Sequence, residues 1–442
     1  MSTETSTVSA SKVLSSSWKI DGLTIKNRFV LSPMAVLQPT KDGSPSEQTI
    51  AFLTTRAKGG AGLLIVGGTV ATESGYAEAP FQPLMRFDND RFIPGLKKMV
   101  DAVHAYGVPL FAQIFPAFGA MGVPGEGRTT RAASPKPVRM AAPRLPHGMY
   151  IPGGRTTPTP EEITREELLE VQNETVAAVL RAKAAGFDGI EIGAHMRYLY
   201  SSFFSPRTNW RSDEYGGSAE NRARFLADTI RAIRAEVGPD YPVGVRMSVN
   251  DHLPDGQGPE GFAEVMTYVV KEGVGYIALT DANYESMDDN LPSSSGQMLA
   301  HSEPQIFRKY LPNVPLLLSN TYEPQQAAQA IEDGYADGIM LARQLLADPE
   351  FPNKVLQGQQ EKINWCDHDN SCLRRLILNV PVRCHLNPAM GREAALAGAE
   401  ESLATKLKRP VDAFVIAAAG SPSLMGLADK LANAKMAKDA KK

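Results

Sequence analysis

An eight-stranded β/α barrel is the fold this sequence predicts, on three observations. Short apolar, β-branched runs recur eight times along the chain, and helical segments separate them. Polar and glycine-containing residues gather just after the C-terminal end of each run, where a barrel of this kind places its active-site loops. Alternation alone would also suit a doubly wound sheet; the count of eight favours closure.

The runs are "FVLSPM" (29–34), "GLLIVGG" (62–68), "PLFAQIF" (109–115), "GIEIGAH" (189–195), "VGVRMSV" (243–249), "YIALTDA" (276–282), "PLLLSN" (315–320) and "GIMLAR" (338–343). Each is close to continuously apolar, as a parallel strand covered on both faces must be. Thr164 and Glu167 form a capping-box pattern ahead of "LLEVQNETVAAVLRAKAAG", and Pro324 occupies a first helical position before "QQAAQAIEDG". The connection 116–165 is rich in Pro, Gly and Arg and carries no long periodic segment, so it reads as a functional lid or subdomain.

The 442 residues exceed the roughly 250–300 at which a single core stops growing, so appendages to the barrel are expected. We divide the chain into a barrel (1–362), a cysteine-bearing segment (363–393) and a tail (394–442). Within the tail, "AFVIAAAGSPSLMGLADKLANA" reads as strand, small-residue turn and helix, like the opening of a dinucleotide-binding unit. Only Gly420 and Gly426 remain of the glycines such a turn needs, so the tail reads as a vestige or a docking element.

A net charge of -3 carries no electrostatic footprint for nucleic acid, which leaves small molecules or proteins as partners. The Ser/Thr-rich N-terminus lacks the apolar run of a signal peptide, and no later stretch offers the ~20 apolar residues of a membrane span. A cytoplasmic location is therefore expected. In a reducing compartment the three clustered cysteines, Cys366, Cys372 and Cys384, point to metal binding or catalysis rather than a disulfide.

The stretch "SSFFSPRTNWRSDEYGGSAENRARF" (201–225), together with "IKNRFVLSPMA", "GVRMSVND" and "LNPAMGRE", resembles the old yellow enzyme family of FMN-dependent oxidoreductases. The resemblance runs from about residue 15 to residue 393. It is nearest to the branch containing 2,4-dienoyl-CoA reductase, trimethylamine dehydrogenase and bile-acid enoate reductases. It implies FMN at the C-terminal ends of the barrel strands and NAD(P)H as a reductant.

Carried over position by position, Pro33, Met34 and Ala35 would lie along the flavin, with Ala35 where relatives often place a Thr or Cys. Gly67 and Gly68 would bring backbone close to the ring. Gln113 would bond the pyrimidine, and Arg246 would face N1 and O2, where reduction places negative charge. Ser319, Asn320, Ala342 and Arg343 fall after the seventh and eighth strands, where barrels commonly bind phosphate. Tyr198 holds the position of the family's proton donor.

Two departures bear on the substrate. Relatives anchor the substrate carbonyl with a His/Asn pair; here those positions are Gly193 and Met196, with His195 between them as the candidate anchor. After the third run the chain reads "QIFPAFG", with Pro116 and Phe118 replacing polar residues, so an apolar pocket is expected. Arg197, Tyr200, His252 and Tyr284 are further pocket candidates.

In the dienoyl-CoA reductase branch four cysteines bind a 4Fe-4S cluster. Cys366, Cys372 and Cys384 stand in that register, and Asp369 takes the remaining place. The resemblance implies a cluster with Asp369 or His368 as its unusual ligand; a three-iron cluster, a zinc site using His368 or His385, and a metal-free remnant are alternatives. The expected activity is reduction of a hydrophobic α,β-unsaturated carbonyl compound by hydride from flavin N5, with Tyr198 giving the proton. An amine or alcohol dehydrogenase running electrons outward, and a non-catalytic electron-transfer subunit, are the alternatives. A retained cluster would imply a separate FAD/NAD(P)H reductase as partner; oligomeric state is left open, a homo-oligomer included.

Overall fold

The computed structural model describes residues 10–125, 128–139, 156–281, 283–286 and 294–399. Eight parallel strands close into a barrel: β1 (Phe29–Leu31), β2 (Leu63–Val66), β3 (Leu110–Ile114), β4 (Gly189–Ala194), β5 (Val243–Ser248), β6 (Tyr276–Thr280), β7 (Leu316–Ser319) and β8 (Gly338–Leu341). Closure runs from β8 back to β1, with Met340 opposite Val30. Every strand lies inside one of the eight apolar runs. The strands are shorter than the runs because the polar and glycine residues at each end leave the ladder; Gly68, for instance, turns away at φ +70°.

Alternate residues point inward. Val30, Leu63, Ile65, Phe111, Tyr276, Ala278, Leu317 and Met340 fill the barrel as one buried cluster. Its lower end is plugged by Trp18, Ile20 and Ile25 from an antiparallel hairpin, Trp18–Ile20 with Leu23–Ile25. The Trp18 indole donates to the Asn27 carbonyl at 2.9 Å, so the plug is tied to the strand it leads into.

The opposite strand faces pack against helices α1 (Glu47–Lys58), α2 (Ile93–His104), α3 (Arg165–Ala184), α4 (Ala219–Val237), α5 (Pro259–Val269), α6 (Glu303–Tyr310) and α7 (Pro324–Glu332). The expected capping box opens α3: Thr164 accepts from the Glu167 amide while Glu167 reaches back to the Thr164 amide. Pro324 is the first residue of α7, where its missing N–H leaves no bond unmade.

Beyond the barrel, residues 363–399 fold back onto it. Val382 donates its amide to the Val36 carbonyl at 3.1 Å, and Glu393 meets the fully buried Arg56 of α1 at 2.7 Å. The cysteine segment is thus clamped to the rim where β1 ends. Of the 116–165 connection, Arg131–Ala132 pairs with Glu161–Glu162, while residues 126–127 and 140–155, and the tail from 400 onward with its proposed vestige, lie outside the described residues. No helix among the described residues is long and apolar enough to cross a membrane.

Candidate functional site

The C-terminal rim of the barrel surrounds a cavity of about 330 Å³. The loop after β1 brings Pro33, Met34 and Ala35 to it; the end of β2 brings Gly68; β3 brings Gln113. His195 and Tyr198 follow β4, and Ser319, Asn320, Ala342 and Arg343 follow β7 and β8. Arg246 of β5 lines a smaller adjoining pocket together with Ser319, Asn320, Ala342, Arg343 and Cys366. Residues scattered over more than 300 positions of sequence therefore meet at one rim, because barrel closure brings all strand ends together.

Backbone approach is close where the glycines stand. A Cβ on Gly67 would sit 2.6 Å from the Met34 amide nitrogen, and one on Gly68 would sit 2.8 Å from Ala35 Cα. Only glycine lets the ends of β1 and β2 meet beside the cavity.

Beneath the cavity lies a buried polar network. The Gln113 amide nitrogen donates to Glu191 at 2.7 Å, and the Tyr276 hydroxyl donates to the same carboxylate at 3.1 Å. Glu191 is fully buried, which pushes its carboxyl up to about 7, with Arg246, Gln113 and Tyr276 pulling it down. Arg246 donates to Ser32 at 2.7 Å, while its Nε is buried with no partner among the described residues. Ser319 Oγ and His195 Nδ1 are orphaned in the same way. Unsatisfied polar groups lining the cavity (His195, Ser319) and the pocket that adjoins it (Arg246, Ser319) are what a bound polar cofactor would satisfy.

Tyr198 stands at the cavity wall with its hydroxyl 3.1 Å from that of Tyr284, whose phenol burial pushes up to about 12. Its ring packs edge-on against Phe115 and Phe118, at 5.0 and 5.2 Å between centroids. His195 lies beside it, its imidazole held well below its ordinary value by burial and by the charge of Arg246. Gly193, the first expected anchor position, has no room for a side chain: a Cβ there would be 2.1 Å from the Phe115 ring. Met196, the second, lines the cavity at φ +56°.

The other candidates separate. Tyr284 belongs to the cavity, whereas Tyr200 is packed at 4.7 Å against Phe225 of α4 and Arg197 is buried against Glu285 at 2.6 Å. His252 bonds Asp281, which lines the cavity.

The cysteine segment supplies the remaining wall through Cys372, Leu373, Leu376 and Ile377. Burial raises all three thiols, Cys372 to about 11; the charge of Cys366 adds to the rise at Cys372 and Cys384, and that of Cys384 to the rise at Cys372. Their sulfurs accept backbone N–H groups, from His368 at Cys366, Leu373 at Cys372, and Leu386 and Asn387 at Cys384. Asp369 lies near enough to act on both Cys366 and Cys384, and bonds Arg374 at 3.2 Å. The His368 ring instead meets the Tyr322 hydroxyl at 2.8 Å.

A closed parallel barrel with this rim defines an FMN-dependent oxidoreductase class. The sequence profile of the NADH:flavin oxidoreductase / NADH oxidase family matches residues 17–362, and the chain belongs to that family. It is 37% identical over 392 residues to a metal reductase of Desulforamulus reducens, covering 87% of this chain and 55% of that one. It is 34% identical over 404 residues to a cinnamate reductase of Clostridium sporogenes, covering 86% and 58%. The solved structure of a 2-naphthoyl-CoA reductase in complex with 2-naphthoyl-CoA superposes with a TM-score of 0.79 at 27% identity, covering 88% of this chain and 59% of that one. The chain spans little more than half the length of these relatives.

Proposed function

We propose that the protein reduces hydrophobic α,β-unsaturated carbonyl compounds. The observation that carries this reading is the Tyr198 hydroxyl, presented in an apolar cavity beside the flavin-binding rim and bonded to Tyr284. When bound, FMN supplies hydride from its N5 to the β-carbon of the alkene. Tyr198 gives a proton to the α-carbon, since a phenol is protonated at neutral pH. Tyr284 holds that hydroxyl by a bond to its oxygen. His195, neutral and at the cavity wall, is the candidate anchor for the substrate carbonyl oxygen, a role that needs its single N–H turned to the substrate and away from the Arg246 backbone.

For the cofactor itself, Arg246 supplies a cation for the N1 and O2 edge, Gln113 a bond to the pyrimidine, and Pro33, Met34, Ala35 and Gly68 the close walls. Ser319, Asn320, Ala342 and Arg343 hold the phosphate. The walls Phe115, Phe118, Phe81 and Leu84 favour an apolar substrate body. One relative is named a cinnamate reductase, and cinnamate is an aryl-substituted unsaturated acid of this chemical kind.

We also propose that Cys366, Cys372, Cys384 and Asp369 hold an iron–sulfur cluster. The N–H donors on each sulfur and the nearness of Asp369 to two of the thiols support this, as does the engagement of His368 with Tyr322. A cluster there would open an electron route between FMN and a separate FAD/NAD(P)H reductase, with 363–393 as the segment that carries it.

The test is anaerobic. Flavin-loaded enzyme is reduced with NAD(P)H and mixed with aryl enones and unsaturated acyl compounds. Flavin reoxidation with formation of the saturated product supports the reading; no reoxidation by any activated alkene sinks it. Bleaching of the flavin by an amine without NAD(P)H would instead support outward electron flow.

A further inference from the structure

We propose that His252, Asp281 and Glu303 form a binding site for a divalent first-row metal ion beside the flavin cavity. Three chain segments meet there: the loop after β5, the residue following β6, and the first turn of α6. The ligand-capable atoms of all three side chains lie within 4.8 Å of one another. His252 Nε2 bonds Asp281 Oδ1 and stands 3.4 Å from Glu303 Oε1. Both acid side chains are 1% exposed, so this is an interior constellation and not a solvated acidic patch.

Hydrogen bonding leaves the constellation incomplete. Asp281 Oδ2 and Glu303 Oε2 are buried with no partner among the described residues. Charge leaves it incomplete as well. Asp251 is the next charged group acting on His252, a third acid, and neither Asp281 nor Glu303 has an ion pair with Lys or Arg among the described residues. Buried carboxylates are compensated either by a cation or by a proton; burial and the neighbouring Asp281 push the Glu303 carboxyl up to about 7, and one imidazolium shared between the two acids supplies at most one charge.

A divalent ion would answer both deficits. With metal–ligand bonds near 2.1 Å, ligand atoms stand roughly 3.0 to 3.4 Å apart, so the His252 to Glu303 separation already suits coordination. One imidazole nitrogen with two carboxylates suits Mn²⁺, Fe²⁺, Co²⁺ or Zn²⁺, in contrast to the thiol segment, whose sulfurs suit softer metals. Three protein ligands leave positions for water or substrate. Entry is open from two sides: His252 is part-exposed, and Asp281 lines the 330 Å³ cavity.

The experiment uses the flavin-loaded enzyme, cleared of loosely held metal by a chelator and titrated with Mn²⁺, an ion that avoids thiolates. Loss of the free-ion paramagnetic resonance signal counts bound metal, and the melting temperature is followed alongside. One Mn²⁺ per chain, displaced by Zn²⁺ and raising the melting temperature, is the expected result. Asp281→Asn and Glu303→Gln should each weaken binding at least about tenfold. Their flavin content should match wild type; the metal-free melting temperature should fall for Asp281→Asn, which gives up the ion pair with His252, and should hold for Glu303→Gln, which relieves the repulsion between the two acids. His252→Gln gives the same readout should either acid variant misfold. The proposal is overturned if the wild-type enzyme binds no Mn²⁺ even in large excess, or if the variants bind it as tightly.

Discussion

Replacing Tyr198 with Phe removes one oxygen atom and keeps the ring. The edge-on contacts to Phe115 and Phe118, and the 5.6 Å contact to the His195 ring, involve carbon positions that Phe retains. What changes is the 3.1 Å bond to Tyr284 and the proton it carries. Tyr284 is almost fully buried, so losing this partner should cost about 1–3 kcal/mol of stability. Removing both hydroxyls, in Tyr198→Phe with Tyr284→Phe, should be close to neutral, because neither partner is then left behind.

On catalysis, loss of a positioned acid slows the proton-requiring step by roughly 10²–10⁴-fold, or about 3–5 kcal/mol of barrier. Anaerobic stopped-flow separates the two halves of the cycle. Flavin reduction by NAD(P)H should be unchanged, and so should reoxidation by a one-electron oxidant that needs no proton. Reoxidation by an enone should fall by the stated factor. Equal slowing in all three reactions would mean that Tyr198 merely shapes the cavity, and no slowing in any would remove it from the chemistry.

Glu191 sets a pH dependence. Its folded-state pKa is raised from 4.5 to about 7, so the stability it contributes is complete below 4.5 and is lost as pH rises through 7. The loss amounts to about 3 kcal/mol at most, and Glu191→Gln should flatten that stretch of the urea-denaturation profile. Glu393→Ala strands the guanidinium of Arg56 in the core and should cost about 3–5 kcal/mol, read as a shift in the denaturation midpoint. Asp369→Cys completes a four-thiol set, so iron and acid-labile sulfide per chain should rise after anaerobic purification; an unchanged content would speak against a cluster at this segment.

The barrel was legible because strands covered on both faces are written as uninterrupted apolar runs, and because glycines and polar residues mark where they stop. Much of the rim was legible through the irregular family string and the strand-end positions. The partnerships across the barrel were not. Tyr284 faces Tyr198 from 86 positions away, and Glu303 joins His252 from 51 away, through the register of parallel strands that no local spacing encodes. Glu191 sits in the middle of an apolar run and carries no signal of its own. Its role emerges only when Gln113 is found opposite it in the next strand.

The fit of Phe115 against Gly193 has a bearing on how this pocket can change. A histidine at position 193 would collide with the Phe115 ring, and a smaller residue at 115 alone would open a void against a bare glycine. Neither single step improves the site, so the two positions are locked to one another. A directed-evolution library that varies one codon at a time would miss a polar anchor here, while one that varies 115 and 193 together could reach it.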